Sequence, residues 1–368
     1  MPKHRDEAIR LNHRNAENLR KKLLVWYSAH RRDLPWRRTK NPYAVWISEV
    51  MLQQTRVQTV IPYYRRFLEK FPAIQDLARA DSLELLRLWA GLGYYSRAKN
   101  LQLAARQIIR RHEGKFPRSY SDALSLPGIG RYTAGAVLSI AFDLPCAVLD
   151  GNVARVLTRL FKLRGDVRAR PLQDLLWRYS KKLLPNRNPG DFNQAIMELG
   201  AVVCSPRQPQ CPLCPWESEC QARKERIQEL LPEKRKTKGT EKVSWAVAVL
   251  VHRGRVLIVK RTEGRLLKDL WEFPGGAFNG ARNVKAALSK RIFEKLGLKI
   301  QVLEPLTTIR HAITHRRIIL VAFGAQLKAG TATKVDGHKA KWVRREDLDK
   351  FPFASASQRI VGMLRSSP

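Results

Sequence analysis

The spacing of apolar residues changes once along this 368-residue chain, and that change most restricts what it can fold into. Up to residue 231 the apolar residues recur three and four positions apart, as at Leu83, Leu86 and Trp89. That spacing indicates amphipathic helices, so we predict a helical domain over residues 1–231. Residues 232–242 contain no large apolar side chain and are predicted to form a solvated linker.

Beyond the linker, short β-branched runs replace the helical spacing. They lie at residues 246–250, 256–259 and 318–323, and one amphipathic helix is predicted from Ala286 to Leu298, closed by Gly297. Strands mixed with a single helix are typical of an α+β domain. We therefore expect a multidomain chain in which an all-α domain precedes an α+β domain at residues 243–368.

The chain is strongly basic, with 69 Lys and Arg against 32 Asp and Glu and a net charge of +37. Residues 241–368 contain 25 basic and 10 acidic residues, so +15 lies there and +22 on the remainder. Duplex DNA is a polyanion long enough to reach both domains; an anionic membrane surface or a generally basic proteome is the alternative.

No apolar run is long enough to span a membrane and the N-terminus lacks a signal core, so we expect a cytoplasmic, nucleoid-associated protein.

Four cysteines, Cys204, Cys211, Cys214 and Cys220, lie within 17 residues in the pattern C-x6-C-x2-C-x5-C. Clustered cysteines in a cytosolic protein usually bind metal. Their spacing leaves zinc and an iron–sulfur cluster both open. Arg207 lies between the first two cysteines and is expected to project towards an anion.

Residues 126–130, Leu-Pro-Gly-Ile-Gly, stand between a polar and an apolar helix. Pro127, Gly128 and Gly130 would let the backbone approach another molecule closely, and the following helix start offers free N–H groups to a phosphate. These features indicate a helix–hairpin–helix that grips a DNA backbone. A plain turn between helices is the alternative.

Together with Leu149–Val153 and the cysteine spacing, the hairpin resembles the helix–hairpin–helix base-excision glycosylases. The segments 34–37, 46–55 and 91–96 narrow the resemblance to adenine DNA glycosylases of the MutY type. It implies a [4Fe-4S] cluster on the four cysteines. It also implies that the chain acts as a monomer on duplex DNA with an A:8-oxoguanine or A:G mispair.

Removal of adenine requires an acid at the base and negative charge near the sugar. Glu49 lies in an apolar helical segment, where burial would raise its pKa and retain a proton. The resemblance assigns it protonation of adenine N7 and then activation of water. Asp150, which alone would be predicted as a helix N-cap, is implied to stabilise the cationic sugar. Asn152 is implied to position that site.

Tyr132 bears on the type of reaction. Related endonuclease III-like enzymes have a lysine here that attacks the sugar, and a phenol cannot do so. We therefore expect a monofunctional glycosylase. The alternatives are a bifunctional glycosylase/lyase and a non-catalytic DNA-damage binding protein.

The target base must leave the helical stack before it can react. By resemblance, one group of residues fills the gap and contacts 8-oxoguanine, and another lines the adenine pocket. The first comprises Leu52, Gln54, Thr55 and Tyr94, and the second Arg32, Trp36 and Gln194.

Residues 271–298 resemble the Nudix box of pyrophosphate hydrolases, with basic residues at three of its four glutamate positions: Arg282, Arg291 and Lys295. A Mg²⁺ site needs carboxylates, so pyrophosphate hydrolysis is not expected. In the adenine glycosylases such a domain recognises 8-oxoguanine. By resemblance, Thr314 and His315 in the loop 311–315 make that contact.

Overall fold

We describe the protein from a computed structural model covering residues 11–233, 241–261, 270–278, 282–313, 316–330 and 340–366. The chain divides into two compact units. One contains residues 1–79 and 100–236, and the other contains 80–99 and 237–368. Among the residues described, no helix is both long and apolar enough to cross a membrane.

The part of the chain before residue 233 is helical, as the apolar spacing predicts. Its α-helices, numbered in chain order, are α1 (His13–His30), α2 (Pro42–Leu52), α3 (Val57–Lys70), α4 (Ile74–Arg79), α5 (Ser82–Trp89), α6 (Ser96–Arg111), α7 (Tyr120–Ser125), α8 (Arg131–Phe142), α9 (Gly151–Leu160), α10 (Arg170–Leu183), α11 (Pro189–Val202) and α12 (Gln221–Lys224).

Helices α2, α8 and α11 form the centre of the first unit because their sequences are apolar on nearly every side. Residues 43–51 of α2 are all buried, and so are residues 133–140 of α8. α8 packs against both α2 and α11, and α11 also packs against α9. A helix that is apolar all round belongs inside a core, so polar side chains on these helices are removed from water.

Residues 80–99 group with the C-terminal part of the chain, although they precede it by more than a hundred residues. They contain α5 and the turn into α6. Within this unit, the buried Tyr95 hydroxyl donates a hydrogen bond of 2.8 Å to the Phe353 carbonyl. The sequence predicts all of residues 1–231 as one domain because hydrophobic periodicity does not show which unit a helix joins.

In its described residues, the second unit is built on a mixed sheet of seven strands. β1 pairs in parallel with β6, whereas β1–β2, β1–β4, β2–β3, β2–β7 and β5–β6 are antiparallel. The strands are β1 (Glu241–His252), β2 (Arg255–Lys260), β3 (Trp271–Glu272), β4 (Gly275–Ala277), β5 (Lys299–Ile313), β6 (Arg316–Ala329) and β7 (Ala340–Arg344).

Two hydrophobic clusters cover the sheet. One includes Leu288, Ile292 and Leu296 of α13 (Val284–Leu296), and the other includes residues of α14 (Ser355–Ser366). Gly297 closes α13 with a φ of 62°. The predicted α+β class and its helix are confirmed, but the strands extend further than predicted. Because β1 begins at Glu241, the last two residues of the predicted linker belong to the sheet.

Candidate active site

A carboxyl group and a phenol meet inside the first unit, where α2 packs against α8. Glu49 of α2 and Tyr132 of α8 are 83 residues apart in the sequence, and the Tyr132 hydroxyl donates a 2.5 Å hydrogen bond to Glu49 Oε2. The same hydroxyl lies 3.2 Å from the Met197 sulfur. Tyr132 therefore holds the Glu49 carboxyl directly, which its sequence position alone does not indicate.

Burial controls the protonation of this pair. It raises the pKa of Glu49 from 4.5 to about 7, against the opposing effect of the Tyr132 hydrogen bond. The nearby Asp150 charge raises the same pKa further, and Arg37 lowers it. Burial also keeps the pKa of Tyr132 well above 10, so Tyr132 stays protonated and donates. Glu49 can therefore hold or release a proton near neutral pH.

Asp150 caps α9, as the sequence predicts, and its second oxygen serves another contact. Its Oδ1 accepts from the Val153 backbone N–H at 2.7 Å, and its Oδ2 accepts from Asn152 Nδ2 at 3.1 Å. Burial raises the pKa of Asp150, while these two hydrogen bonds and the charge of Arg155 lower it. Hydrogen bonds to a carboxylate favour its ionised form.

Arg155 links this carboxylate to the cysteine loop. Its guanidinium donates to Asn152 Oδ1 at 2.9 Å, to the Gly200 carbonyl at 2.7 Å and to the Cys204 carbonyl at 2.8 Å. The first cysteine of the loop and the amide that contacts Asp150 thus share one guanidinium. Nothing in the sequence pattern indicates this role for Arg155.

A second acid, which the sequence reasoning does not identify, lies on α11. Glu198 is buried and accepts from Arg32 Nε and Nη2, both at 2.7 Å, and from Arg37 Nη2 at 2.9 Å. These arginines lower the pKa of Glu198 to about 2 although burial opposes them. Its surroundings, Ala-Ile-Met-Glu-Leu, are as apolar as those of Glu49, and the same criterion would have found it.

Glu198 therefore orients Arg32, which the resemblance places in the adenine pocket. Gln194 and Glu198 are four residues apart on α11 and share one helix face. Gln194 is partly buried. Trp36 is buried and packs edge-on against Tyr64, with ring centroids 5.5 Å apart.

The turn after α2 contains the residues expected to fill the gap in the DNA. Leu52 and Thr55 are partly exposed, and Gln54 is exposed with a φ of 57°. The Thr55 backbone N–H donates to the Leu52 carbonyl at 3.2 Å. Gln53 Nε2 donates to Thr133 Oγ1 at 3.3 Å, which ties the turn to α8.

The glycine hairpin has the predicted shape. Gly128 has a φ of 77°, and a Cβ there would lie 2.7 Å from the Asn100 side chain. Gly130 is the N-cap of α8 and has open space where a Cβ would point. Pro127 precedes this turn, and Arg131 follows it with its guanidinium 4.2 Å from the Trp177 ring. The start of α8 is therefore open to another molecule.

Tyr94 lies in the other unit, on the turn between α5 and α6. It has a φ of 47° and a 39% exposed side chain. Arg97 Nη2 donates to the Leu92 and Gly93 carbonyls at 3.0 and 3.1 Å, and its guanidinium lies over the Tyr94 ring. The buried Arg97 thus supports the turn that presents Tyr94.

The four clustered cysteines line one cavity in the first unit. Burial raises the pKa of Cys214 to about 12 and that of Cys220 to about 11. Within the described part of the chain, no three His, Cys, Asp or Glu side chains are placed to hold a single metal ion. Four soft thiols around a common space match the ligand set of an iron–sulfur cluster.

Arg159 supports the cysteine loop from inside the core. Arg159 is fully buried and donates to the Ser205 carbonyl at 2.7 Å and to the Leu231 carbonyl at 2.9 Å. Arg207 is exposed. The fifth cysteine, Cys146, lies outside this loop and is half-buried.

Arg291 and Lys295 line a cavity between α13 and the sheet of the second unit, where a Nudix enzyme would present carboxylates. Arg282 is exposed just before α13. Thr314 and His315 lie outside the described residues.

Comparison with known proteins agrees with this arrangement. The model of the HhH-GPD superfamily of base excision DNA repair proteins matches residues 47–182, and that of the NUDIX domain matches residues 246–363. A solved structure of a thermostable thymine-DNA glycosylase is 30% identical with a TM-score of 0.53, covering 57% of this chain and 97% of that chain.

Two curated relatives align with most of this chain. The adenine DNA glycosylase of Homo sapiens is 36% identical over 394 residues, which cover 92% of this chain and 72% of the human protein. That of Buchnera aphidicola subsp. Schizaphis graminum is 43% identical over 254 residues, covering 68% of this chain and 73% of that protein. This chain belongs to the adenine DNA glycosylase family.

Proposed function

We propose that this protein hydrolyses the N-glycosidic bond of adenine mispaired with 8-oxoguanine or guanine in duplex DNA. One observation carries the proposal: the buried Glu49, with a pKa of about 7, is hydrogen-bonded to Tyr132 and lies near Asp150, the carboxylate that caps α9. An acid that retains its proton beside a second carboxylate is the arrangement that glycosidic cleavage requires.

In the proposed reaction, protonated Glu49 donates its proton to adenine N7. The bond between the sugar C1′ and adenine N9 then breaks, and its electron pair leaves with the base. The Asp150 carboxylate stabilises the positive charge that develops on the sugar. Water adds at C1′ and gives a proton back to Glu49, so the carboxyl group ends as it began.

Tyr132 supports a monofunctional reaction. A lyase of the endonuclease III type needs an amine nucleophile, whereas Tyr132 offers a hydroxyl that stays protonated and donates to Glu49. We therefore propose that the product is an intact abasic site. Borohydride treatment during turnover should trap no covalent protein–DNA adduct, and efficient trapping would favour the bifunctional alternative.

The cysteine cavity supports a bound cofactor. We propose that Cys204, Cys211, Cys214 and Cys220 hold a [4Fe-4S] cluster. When bound, the cluster would join the four cysteines of the loop. The loop's own residues would then present Arg207 to a DNA phosphate.

The open start of α8 supports binding of a DNA phosphate at Gly128 and Gly130, because free N–H groups at a helix N-terminus favour anions. Recognition of 8-oxoguanine is assigned to the second unit, by Thr314 and His315, and to Tyr94 on its exposed turn. The charge of +37 supports binding to duplex DNA, and we propose that the protein acts as a monomer in the cytoplasm.

The decisive experiment measures adenine release from matched A:8-oxoguanine, A:G and A:T duplexes. The wild type should release adenine from the first two and not from A:T, and Glu49→Gln should slow release by about 10²–10⁴-fold. Binding of the A:8-oxoguanine duplex by Glu49→Gln serves as the folding control. Binding without release by the wild type would instead indicate a damage-binding protein.

A further inference from the structure

The Nudix-like unit contains a small cavity to which the proposed glycosylase reaction gives no role. It opens where β4 and the preceding turn meet α13, and it holds about 30 Å³. Its charged lining residues are Glu272, Arg291 and Lys295. A ligand pocket for a small molecule is about ten times larger. The space suits a single oxygen-rich group rather than a whole nucleotide.

The charges of the lining do not cancel. Glu272 already has a cationic partner outside the lining, because Arg261 Nη1 lies 3.5 Å from its Oε2. Within the described parts of the chain, neither Arg291 nor Lys295 forms an ion pair. Lys290, on the same helix, lies 3.8 Å from Glu294 instead. Among these residues, Arg291 and Lys295 therefore line the cavity without an anionic partner, while Glu272 is paired with Arg261.

The Arg291 guanidinium packs against β4, and few of its donors have partners in the described part of the chain. A Cβ at Gly276 would lie 2.5 Å from Arg291 Cζ, so the absence of a side chain at Gly276 lets the guanidinium pack closely against β4. The guanidinium also lies 5.5 Å from the centre of the Phe278 ring. Its Nη1 reaches the Ala277 carbonyl only at 3.5 Å, and among the described residues its buried Nε has no hydrogen-bond partner.

We propose that this cavity binds a phosphate group directly, without a metal ion. A buried donor without a partner is unfavourable, and a phosphate oxygen would satisfy the Arg291 guanidinium through charge-assisted hydrogen bonds. Lys295 would supply a second positive charge. A guanidinium and an ammonium thus take over the role that a divalent cation plays where the same positions carry glutamates. The phosphate can come from the DNA backbone or from free phosphate and pyrophosphate.

The first arm of the test uses free anions. Inorganic phosphate and pyrophosphate are titrated into the full-length protein by calorimetry, in the presence of EDTA. Arg291→Gln and Lys295→Gln are compared with the matched control Lys290→Gln, which removes the same charge from an outward position of α13. We expect the control to bind like the wild type. Each of the other two variants should weaken binding about tenfold or more, since each loses a charged hydrogen bond.

The second arm measures how salt affects binding of an undamaged duplex that contains no adenine mispair. Each protein–phosphate contact contributes about 0.9 to the slope of log affinity against log salt. If the ligand is the DNA backbone, Arg291→Gln and Lys295→Gln should lower the slope by about one relative to Lys290→Gln. Free-anion binding with an unchanged slope would identify a free phosphate as the ligand.

The proposal is overturned if the wild type binds neither anion and all three variants share one salt slope. Binding that requires Mg²⁺, or equal losses in Lys290→Gln, would also overturn it. Lys295 is exposed, so Lys295→Gln keeps the test decisive even if Arg291→Gln disturbs the fold. Neither arm measures adenine release, so the outcome of the glycosylase assay does not affect the test of this cavity.

Discussion

The Tyr132 hydroxyl donates a 2.5 Å hydrogen bond to Glu49 Oε2, and the two groups affect each other's protonation in opposite directions. Burial raises the pKa of Glu49, and the hydrogen bond from Tyr132 lowers it again. The nearby Glu49 charge raises the pKa of Tyr132. Their balance leaves Glu49 with a pKa of about 7, so the carboxyl group can exchange a proton under ordinary conditions.

Glu49→Gln should lower the rate of adenine release by a factor of at least about 10²–10⁴, the usual contribution of a general acid or base. In the wild type, release should decline as the pH rises through about 7, because Glu49 then loses the proton it donates. Single-turnover rates between pH 5 and 9 measure this decline. A flat profile over that range would exclude Glu49 as the proton donor.

The same substitution should stabilise the protein in alkaline solution. The folded pKa of Glu49 lies above its unfolded value of about 4.5, so the folded state loses stability as the pH rises from about 4.5 to 7. The shift corresponds to ~3 kcal/mol in full. Chemical denaturation should therefore show Glu49→Gln to be the more stable protein at pH 8 and nearly equal to the wild type near pH 4.5. Equal stability of the two proteins at both pH values would show that folding does not raise the pKa of Glu49.

Tyr132→Phe removes the hydrogen bond that favours the ionised carboxylate, so the pKa of Glu49 should rise. We expect the alkaline limb of the pH profile for adenine release to move to higher pH, while the affinity for duplex DNA stays unchanged. Tyr120→Phe is a suitable control because Tyr120 is exposed and has no contact with Glu49. A limb that moves to lower pH would contradict this account of the pair.

Glu198→Gln should move the alkaline limb of the pH profile for adenine release to lower pH. Without the Glu198 charge, Arg37 exerts an uncompensated positive potential, which lowers the pKa of Glu49. Loss of a buried acid with two arginine partners should also cost ~3 kcal/mol of stability at neutral pH. Glu225→Gln, from an exposed ion pair with Lys162, provides a control that should change neither property.

The stability that Glu198 contributes through its ion pairs depends on pH. Its folded pKa of about 2 lies below the unfolded value of about 4.5, so this stability is present above about pH 4.5 and is lost as the pH falls towards 2. The difference in unfolding free energy between wild type and Glu198→Gln should therefore shrink between pH 5 and pH 3. A constant difference over that interval would count against the ion pairs as its source.

Cys214→Ser should remove the iron–sulfur cluster. We expect the purified wild type to be brown and to contain about four iron atoms per chain, and the variant to be colourless and less stable. Cys146→Ser lies outside the loop and should retain both colour and iron. A colourless wild type that contains zinc would show that the four cysteines bind zinc and not an iron–sulfur cluster.

Much of the fold could be predicted because it depends on local patterns. The change of apolar spacing near residue 240 separates the helical part from the sheet, and Gly297 marks the end of α13. The hairpin at Gly128 and Gly130 is likewise local, since its backbone angles and its open helix start come from neighbouring residues. These features follow from rules that act over a few residues.

The sequence by itself determined which chemical groups the protein has: the carboxylates Glu49 and Asp150, four clustered cysteines and a Nudix-like box with basic residues in place of glutamates. Only the tertiary structure decided what those groups can do. Three contacts join residues far apart in the chain. They are the ion pairs of Glu198 with Arg32 and Arg37, the hydrogen bond from Arg155 to the Cys204 carbonyl, and the hydrogen bond between Tyr132 and Glu49. Protonation depends on burial and on neighbouring charges, and a folded protein creates both by bringing distant segments together.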